Sequence, residues 1–349
     1  MIIRRANAAD NGAICNLMES VAMGKTIELV FERRPDYFLG AAIQSEDVEV
    51  YVLVDRDIVA GVFSVGHRMV YVNGESQKVR YLCDLRLHEK YRSGMQLARG
   101  YRFIYDQILS SGEVMQTLIL KDNQHAVKML TSGRAGLPTY HPCGEYLTYF
   151  LPKQKLSNKS DGLETRPATP NDVCAMNDFY QKNAKRRQFA PVIDFEKIDS
   201  SPHFQNLTVG DFIVAERAGE IVGLCALWDQ TEIRRIRVMN YRLSLLRWGR
   251  TIINLFSKSS LPPMGETIPA VYLYAYTFAD EVVGKQLLGA VMERMQKGQL
   301  LVAGMDRADP MNCVWEGASK RVDTGLHFLV AYKKITPPEG VFTFEVARI

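Results

Sequence analysis

Hydrophobic and polar positions alternate and then change period between residues 78 and 109. Val79, Tyr81, Cys83, Leu85 and Leu87 interleave with Arg80, Leu82, Asp84 and Arg86, the two-residue period of a strand. Met95, Leu97, Ala98, Tyr101, Ile104, Tyr105 and Ile108 then recur at three- and four-residue spacing, which predicts a helix. A polar turn over residues 88–94 joins them. A strand that turns tightly into a helix leaves helix-start N–H groups unpaired at the positive end of the dipole. The turn therefore predicts an anion site, with the charge of Arg92 beside it.

The same reading lays out the rest of the chain. Strands are expected at 2–5, 48–54, 58–65, 69–72, 114–120 and 146–151. A helix follows the capping residues Asn7 and Asp10, and Pro35 opens a helical turn carrying Tyr37, Phe38 and Leu39. Asp122 and Asn123 cap another helix through Ala126, Val127, Met129 and Leu130. Asn73-Gly74 is the strongest hairpin signal in the chain, and residues 133–144 form a loop rich in Gly and Pro. Residues 153–162 are rich in Lys, Ser and Gly without apolar periodicity and predict a linker.

Beyond the linker the layout repeats. Residues 166–172 parallel 5–10, and 212–223 parallel 52–61. A strand at 268–278, a helix at 281–295 and strands at 300–305 and 326–332 complete the second half. This predicts one sheet-rich module duplicated, with domains at 1–152 and 163–349. Residues 233–268 form an insertion without a counterpart. Within it, 241–257 read as a basic amphipathic helix packed on the second half, with contact to an anionic membrane surface as the alternative.

Composition narrows the function classes. The chain has 349 residues and a formal net charge of +4, which suits an anionic ligand and carries no nucleic-acid fingerprint. Six cysteines and six histidines show no metal-ligand spacing, so no metal is expected. No apolar run is long enough to span a bilayer, and the first residues do not resemble a signal peptide. With the cysteines read as small buried hydrophobes, a cytoplasmic location is expected.

The stretch Asp84-Leu-Arg-Leu-His-Glu-Lys-Tyr-Arg-Ser-Gly94 resembles motif A of the GNAT superfamily, the acyl-CoA-dependent N-acyltransferases, with Leu87, Tyr91 and Arg92 matching. Asn123, Ala126 and Met129 are similar to the family's later N-x-x-A-x-x-L step. The resemblance implies an α/β (α+β) chain of two GNAT-like domains, each a mixed, mostly antiparallel sheet flanked by helices. The second would be degenerate, because Asp280 and Glu281 stand where a diphosphate would sit. It implies acetyl-CoA, or another acyl-CoA, as co-substrate, and direct transfer without metal to an amine of a small-molecule or peptide acceptor.

By the same resemblance, backbone N–H groups of Leu85, Arg86 and Leu87 would hold the acyl carbonyl and pantetheine. Arg92, Ser93, Gly94, Met95 and Gln96 would hold the pyrophosphate, and Asn123 would approach the pantetheine arm. Tyr37 and Phe38 would wall the acceptor site. Asp84, which interrupts an apolar strand beside the proposed carbonyl site, is the general-base candidate, or else a structural partner of Arg80 or Arg86. Tyr140 and Tyr146 are candidates to protonate the leaving thiolate, or else packed aromatics. The rival class is a non-catalytic acyl-CoA-binding or protein-interaction module. Ser93 replaces the first small glycine of the turn, and Thr131 stands where a tyrosine usually follows.

Overall fold

The computed structural model describes residues 1–20, 22, 24, 27–92, 94–110, 112–134, 136–156, 160–242 and 262–349. The first half runs β1 (Ile2–Arg5), α1 (Asn11–Glu19), β2 (Ile27–Glu32), α2 (Tyr37–Gln44), β3 (Glu49–Asp55), β4 (Ile58–Val72), β5 (Glu75–Leu87), α3 (Gly94–Gln107), β6 (Met115–Leu120), α4 (Gln124–Leu130) and β7 (Thr139–Pro152). The second runs β8 (Leu163–Pro167), α5 (Val173–Ala184), β9 (Ala190–Pro191), β10 (Phe212–Arg217), β11 (Glu220–Asp229), β12 (Arg235–Tyr241), β13 (Thr267–Ile268), β14 (Ala270–Phe278), α6 (Glu281–Arg294), β15 (Leu300–Asp306) and β16 (Arg321–Ala331).

Among the described residues the strands form one large sheet in the order β1-β3-β4-β5-β6-β16-β7-β15-β14-β11-β10-β8, with β9 alongside β4. Its ladders are antiparallel except for β5 with β6 and β14 with β15. The two halves exchange strands at the middle: β16 lies between β6 and β7, and β7 pairs with β15. Helices cover both faces. On one face, α3 buries Leu97, Tyr101 and Ile104 against Tyr51, Phe63 and Leu82, each worth roughly 2 kcal/mol of burial. On the other, α1 and α2 pack Ile14, Leu17 and Tyr37 on Val50, Val52 and Val62. In the second half α5 and α6 cover opposite faces in the same way.

Turn chemistry explains the hairpins. Asn73 and Gly74 both take positive φ, 52° and 84°, which closes β4 onto β5 in two residues. Two strand expectations in the first half change, and in the second the strand expected at 326–332 already begins at Arg321 while that expected at 268–278 is divided between β13 and β14. Strands expected at 58–65 and 69–72 are a single strand, because Gly66 keeps the ladder intact while Ser45 packs where a Cβ would lie, 2.5 Å from its own Cβ. The strand expected to start at 146 begins at Thr139, inside the Gly- and Pro-rich stretch. Pro142, opposite Phe328, stands beside a bulge where the ladder to β16 slips between His327 and Phe328 and Cys143 is the extra residue, a place where a sheet tolerates proline.

The repeat is visible in detail. Arg4 pairs with Asp10 at 2.7 Å and Arg166 with Asp172 at 2.7 Å, so Arg4, not Arg5, is the counterpart of Arg166. Gly61 and Gly223 occupy matching places, each too close to a side chain for a Cβ, 2.7 Å from Leu87 and 2.6 Å from Val283. The start of the insertion, β12, pairs with β2 of the first half and with β13 in a separate small sheet. The expected amphipathic helix falls almost wholly on 243–261, outside the described residues.

Candidate functional site

The parallel strands β5 and β6 pair only at Arg80–Met115 and Tyr81–Gln116. Beyond that point they splay, and a cavity of about 310 Å³ opens between them. At its mouth β5 carries a bulge: Ser64 faces Cys83 and Val62 faces Arg86, so β5 spends three residues against two. Asp84 absorbs the extra residue at φ +53°, a left-handed conformation that aspartate tolerates better than most side chains. Residues of β5 past Tyr81 thus have backbone groups on the β6 side outside the sheet ladder, and α3 begins beyond them at Gly94.

The cavity has two characters. Towards α3 and α4 it is apolar, lined by Phe63, Leu97, Ile104, Ile119 and Leu130. Towards α2 it is polar, with Arg33, Gln44, Ser64, Cys83 and Asp84. Asp84 is held by two partners: the Arg33 guanidinium at 3.6 Å and the Tyr37 hydroxyl, which donates to it at 3.1 Å. The Tyr37 hydroxyl also bonds the Ser64 hydroxyl at 2.7 Å. Burial, with the charge of Asp84 beside it, pushes the Tyr37 phenol well above its ordinary value of 10, so Tyr37 remains a donor.

The structure brings half of the residues expected at the site to one cavity. Asp84, Leu85, Arg86, Leu87, Gln96, Asn123 and Tyr140 all line the cavity. Asp84 takes Arg33 as its ion-pair partner instead of Arg80, which pairs with Glu113 at 2.9 Å. Asn123 caps α4, its side chain accepting the Ala126 N–H at 3.2 Å. Arg92 is exposed at the turn and donates to the Leu87 carbonyl at 3.2 Å. Met95 is exposed and does not line the cavity. Ser93 lies outside the described residues. Tyr140 bonds the Tyr101 hydroxyl between α3 and β7. Tyr146 lies elsewhere, against Phe344 and Gly304. Tyr37 reaches the site through Asp84, whereas Phe38 packs with α1.

Sequence reasoning missed Arg33, just past β2, Gln44 of α2 and Ser64 of β4. It also missed β2, although Ile27, Leu29 and Phe31 alternate with Glu28, Val30 and Glu32, a signal that was available.

The second half repeats the backbone device and fills it. β14 carries a bulge at Ala275, φ +52°, with Leu224 facing Thr277 and Ala226 facing Tyr274. β14 and β15 pair over three residues and part. Residues 342–346 run through the gap: the Phe342 N–H donates to Asp306 at 2.7 Å, and the Glu345 carboxyl accepts from the Ala275 amide. The start of α6 is closed by Asp280, which accepts the Val283 N–H at 2.9 Å and pairs with Arg217 at 3.1 Å. The tail continues as Arg348, bonded to the Tyr274 hydroxyl and the Ile43 carbonyl, and Ile349, which reaches the first cavity.

No protein-family model matches the sequence, and no curated protein sequence does. Solved structures do match. N-myristoyltransferase of Saccharomyces cerevisiae with bound myristoyl-CoA gives a TM-score of 0.58 at 10% identity, over 96% of this chain and 84% of that one. A GCN5-related N-acetyltransferase of Sphaerobacter thermophilus gives 0.54 at 12% identity, over 96% and 97%. A probable N-acyltransferase of Enterococcus faecalis gives 0.52 at 8%, over 95% and 72%. At these identities the likeness is one of fold, and the fold is that of the GNAT superfamily, a mixed α/β arrangement with a large, mostly antiparallel sheet flanked by helices.

Proposed function

We propose that the chain is an acyl-CoA-dependent N-acyltransferase, moving an acetyl or other acyl group to an amine at the cleft between β5 and β6. One observation carries the reading: the Asp84 bulge stands at the opening of the splayed strands, with the start of α3 beyond it. Acyl transfer needs a polarised carbonyl, a neutral amine and a protonated leaving thiolate. Amides of Leu85–Leu87 would hold the thioester carbonyl and pantetheine. The start of α3, from Gly94, would hold the pyrophosphate with Arg92. Asn123 and Gln96 would flank the arm.

The amine nitrogen attacks the carbonyl carbon, Asp84 takes the proton the amine loses, and the C–S bond breaks to release CoA thiolate, which takes a proton from solvent to leave as the thiol. Arg33 and Tyr37 keep the carboxylate in place. Tyr140, bonded to Tyr101, would shape the apolar wall in this reading. The test is thiol release from acetyl-CoA and longer acyl-CoAs over a panel of amines. Asp84→Asn is expected to lower kcat about 100-fold while CoA binding stays within about twofold, a change too small to reflect a lost contact. CoA binding without thiol release from any donor would instead favour the non-catalytic module.

A further inference from the structure

The polar end of the cleft holds two buried donors that the fold leaves unused. Arg33 is 3% exposed and Gln44 is 1% exposed, and both line the cavity. Among the described residues, Arg33 Nε and Gln44 Nε2 have no hydrogen-bond acceptor. A buried donor left unmade is destabilising, and two around one cavity call for a partner.

Each side chain is held at one point and carries an unpaired donor at another. The Arg33 Nη2 end faces Asp84 at 3.6 Å. Its stem crosses α2 where Gly40 leaves room, since a Cβ there would lie 2.6 Å from Arg33 Cδ. The Gln44 Oε1 end accepts from the Cys83 thiol at 3.1 Å, which leaves its NH₂ group to offer. Charge agrees with this arrangement. Asp84 is the acidic side chain lining the cavity, against the arginines Arg33 and Arg86.

From these groups we infer that the acceptor is an amine that also carries a carboxylate, of the α-amino-acid type. Its carboxylate receives hydrogen bonds from Arg33 Nε and Gln44 Nε2, and its amino group faces Asp84. In an α-amino acid the two charged groups share one carbon, so they fit a site whose guanidinium and carboxylate already lie together. A plain amine would leave both donors unsatisfied. A peptide amide would present only a neutral carbonyl to the guanidinium. The inference rests on the acyl-transfer reading for the amine's role, but the carboxylate site itself can be measured by binding.

The experiment uses a matched triplet, leucine, leucinamide and 3-methylbutylamine, with triplets of other side chains in parallel. Each is measured on the full chain with CoA present, by calorimetric binding and by thiol release from acyl-CoA. The amino acid is expected to exceed both analogues at least tenfold, in affinity and in kcat/KM. Gln44→Leu and Arg33→Lys should each shrink that preference about tenfold, with unchanged thermal melts certifying the fold. Gln44→Leu serves alone if the arginine variant fails to fold.

Equal binding of the three, preference for the amide, a preference unmoved by both variants, or no binding at all overturns the inference. Acyl transfer without a carboxylate preference sinks the inference alone and leaves the enzyme reading standing. A carboxylate preference in binding, lost in Gln44→Leu, with no transfer to any amine upholds the site and sinks the enzyme reading.

Discussion

Asp84 and Ala275 occupy the same place in two copies of one backbone device. Both sit at a bulge with positive φ, on a strand that parts from its parallel neighbour and is followed by a helix. Their surroundings then diverge. Around Asp84 the gap is open and lined by its carboxylate, the arginines Arg33 and Arg86 and the Ser64 hydroxyl, with the Tyr37 hydroxyl behind the carboxylate. Around Ala275 it is filled by residues 342–346, and the helix behind it starts on its own aspartate. The bulge and the splayed strands belong to the fold and appear twice. The capacity for chemistry depends on what enters the gap and what caps the helix, and here that differs completely between the copies.

The largest effect expected from this contrast concerns stoichiometry. Titration calorimetry should find one CoA site per chain, because Asp280 already occupies the start of α6 while α3 begins at Gly94. Gly94→Glu puts a like charge at the proposed diphosphate site and should weaken CoA by about 100-fold or more, the worth of a lost charge-assisted contact. Two equivalent sites would erase the distinction between the halves.

Making the second bulge like the first should be destabilising without adding activity. Ala275→Asp buries a second carboxylate beside Glu345, where Arg348 is already bonded to the Tyr274 hydroxyl and the Ile43 carbonyl, at a cost of about 3 kcal/mol. Urea denaturation measures it. A variant as stable as the parent would mean that the filled gap is looser than its packing indicates.

The smallest effect is a pH dependence peculiar to the filled gap. Burial pushes the Glu345 carboxyl up to about 7 from an ordinary 4.5, against the opposing pull of Arg348. Between those values the folded chain holds the proton more tightly than the unfolded chain does. Stability should therefore fall as pH rises from about 4.5 to about 7 and level off above it. The full shift is worth at most about 3 kcal/mol, less for a carboxyl that is only partly buried. Glu345→Gln should flatten that slope and raise the urea midpoint at pH 8, and an unchanged slope would place the titration elsewhere.

Much of this contrast was legible in the sequence. Asp84 stood out because a carboxylate broke an apolar alternation, and Asp280 because an acid sat where an anion would have to bind. Asn73-Gly74 fixed its hairpin through local backbone preference alone. Arg33 and Gln44 were not legible as site residues. Their roles arise from α2 crossing the end of β5, a tertiary contact that leaves no period in the chain. The filling of the second gap was hidden for the same reason: residues 342–346 have no regular pattern, and only their neighbours give Glu345 its meaning. The exchange of β7 and β16 was equally silent, since periodicity says that a segment is a strand and not which strand it joins.

That exchange constrains how the molecule is made. β6 and β7 follow one another in the chain, yet β16 must come between them, and β16 ends only at Ala331. While the second half is still being synthesised, the facing edges of β6 and β7 have no lasting partner in the emerged chain. They can wait exposed, or pair with each other and later part to admit the newcomer. Either course delays completion of the sheet, lengthens the time its edges are open to other chains, and makes the first half dependent on the last strand for its finished form.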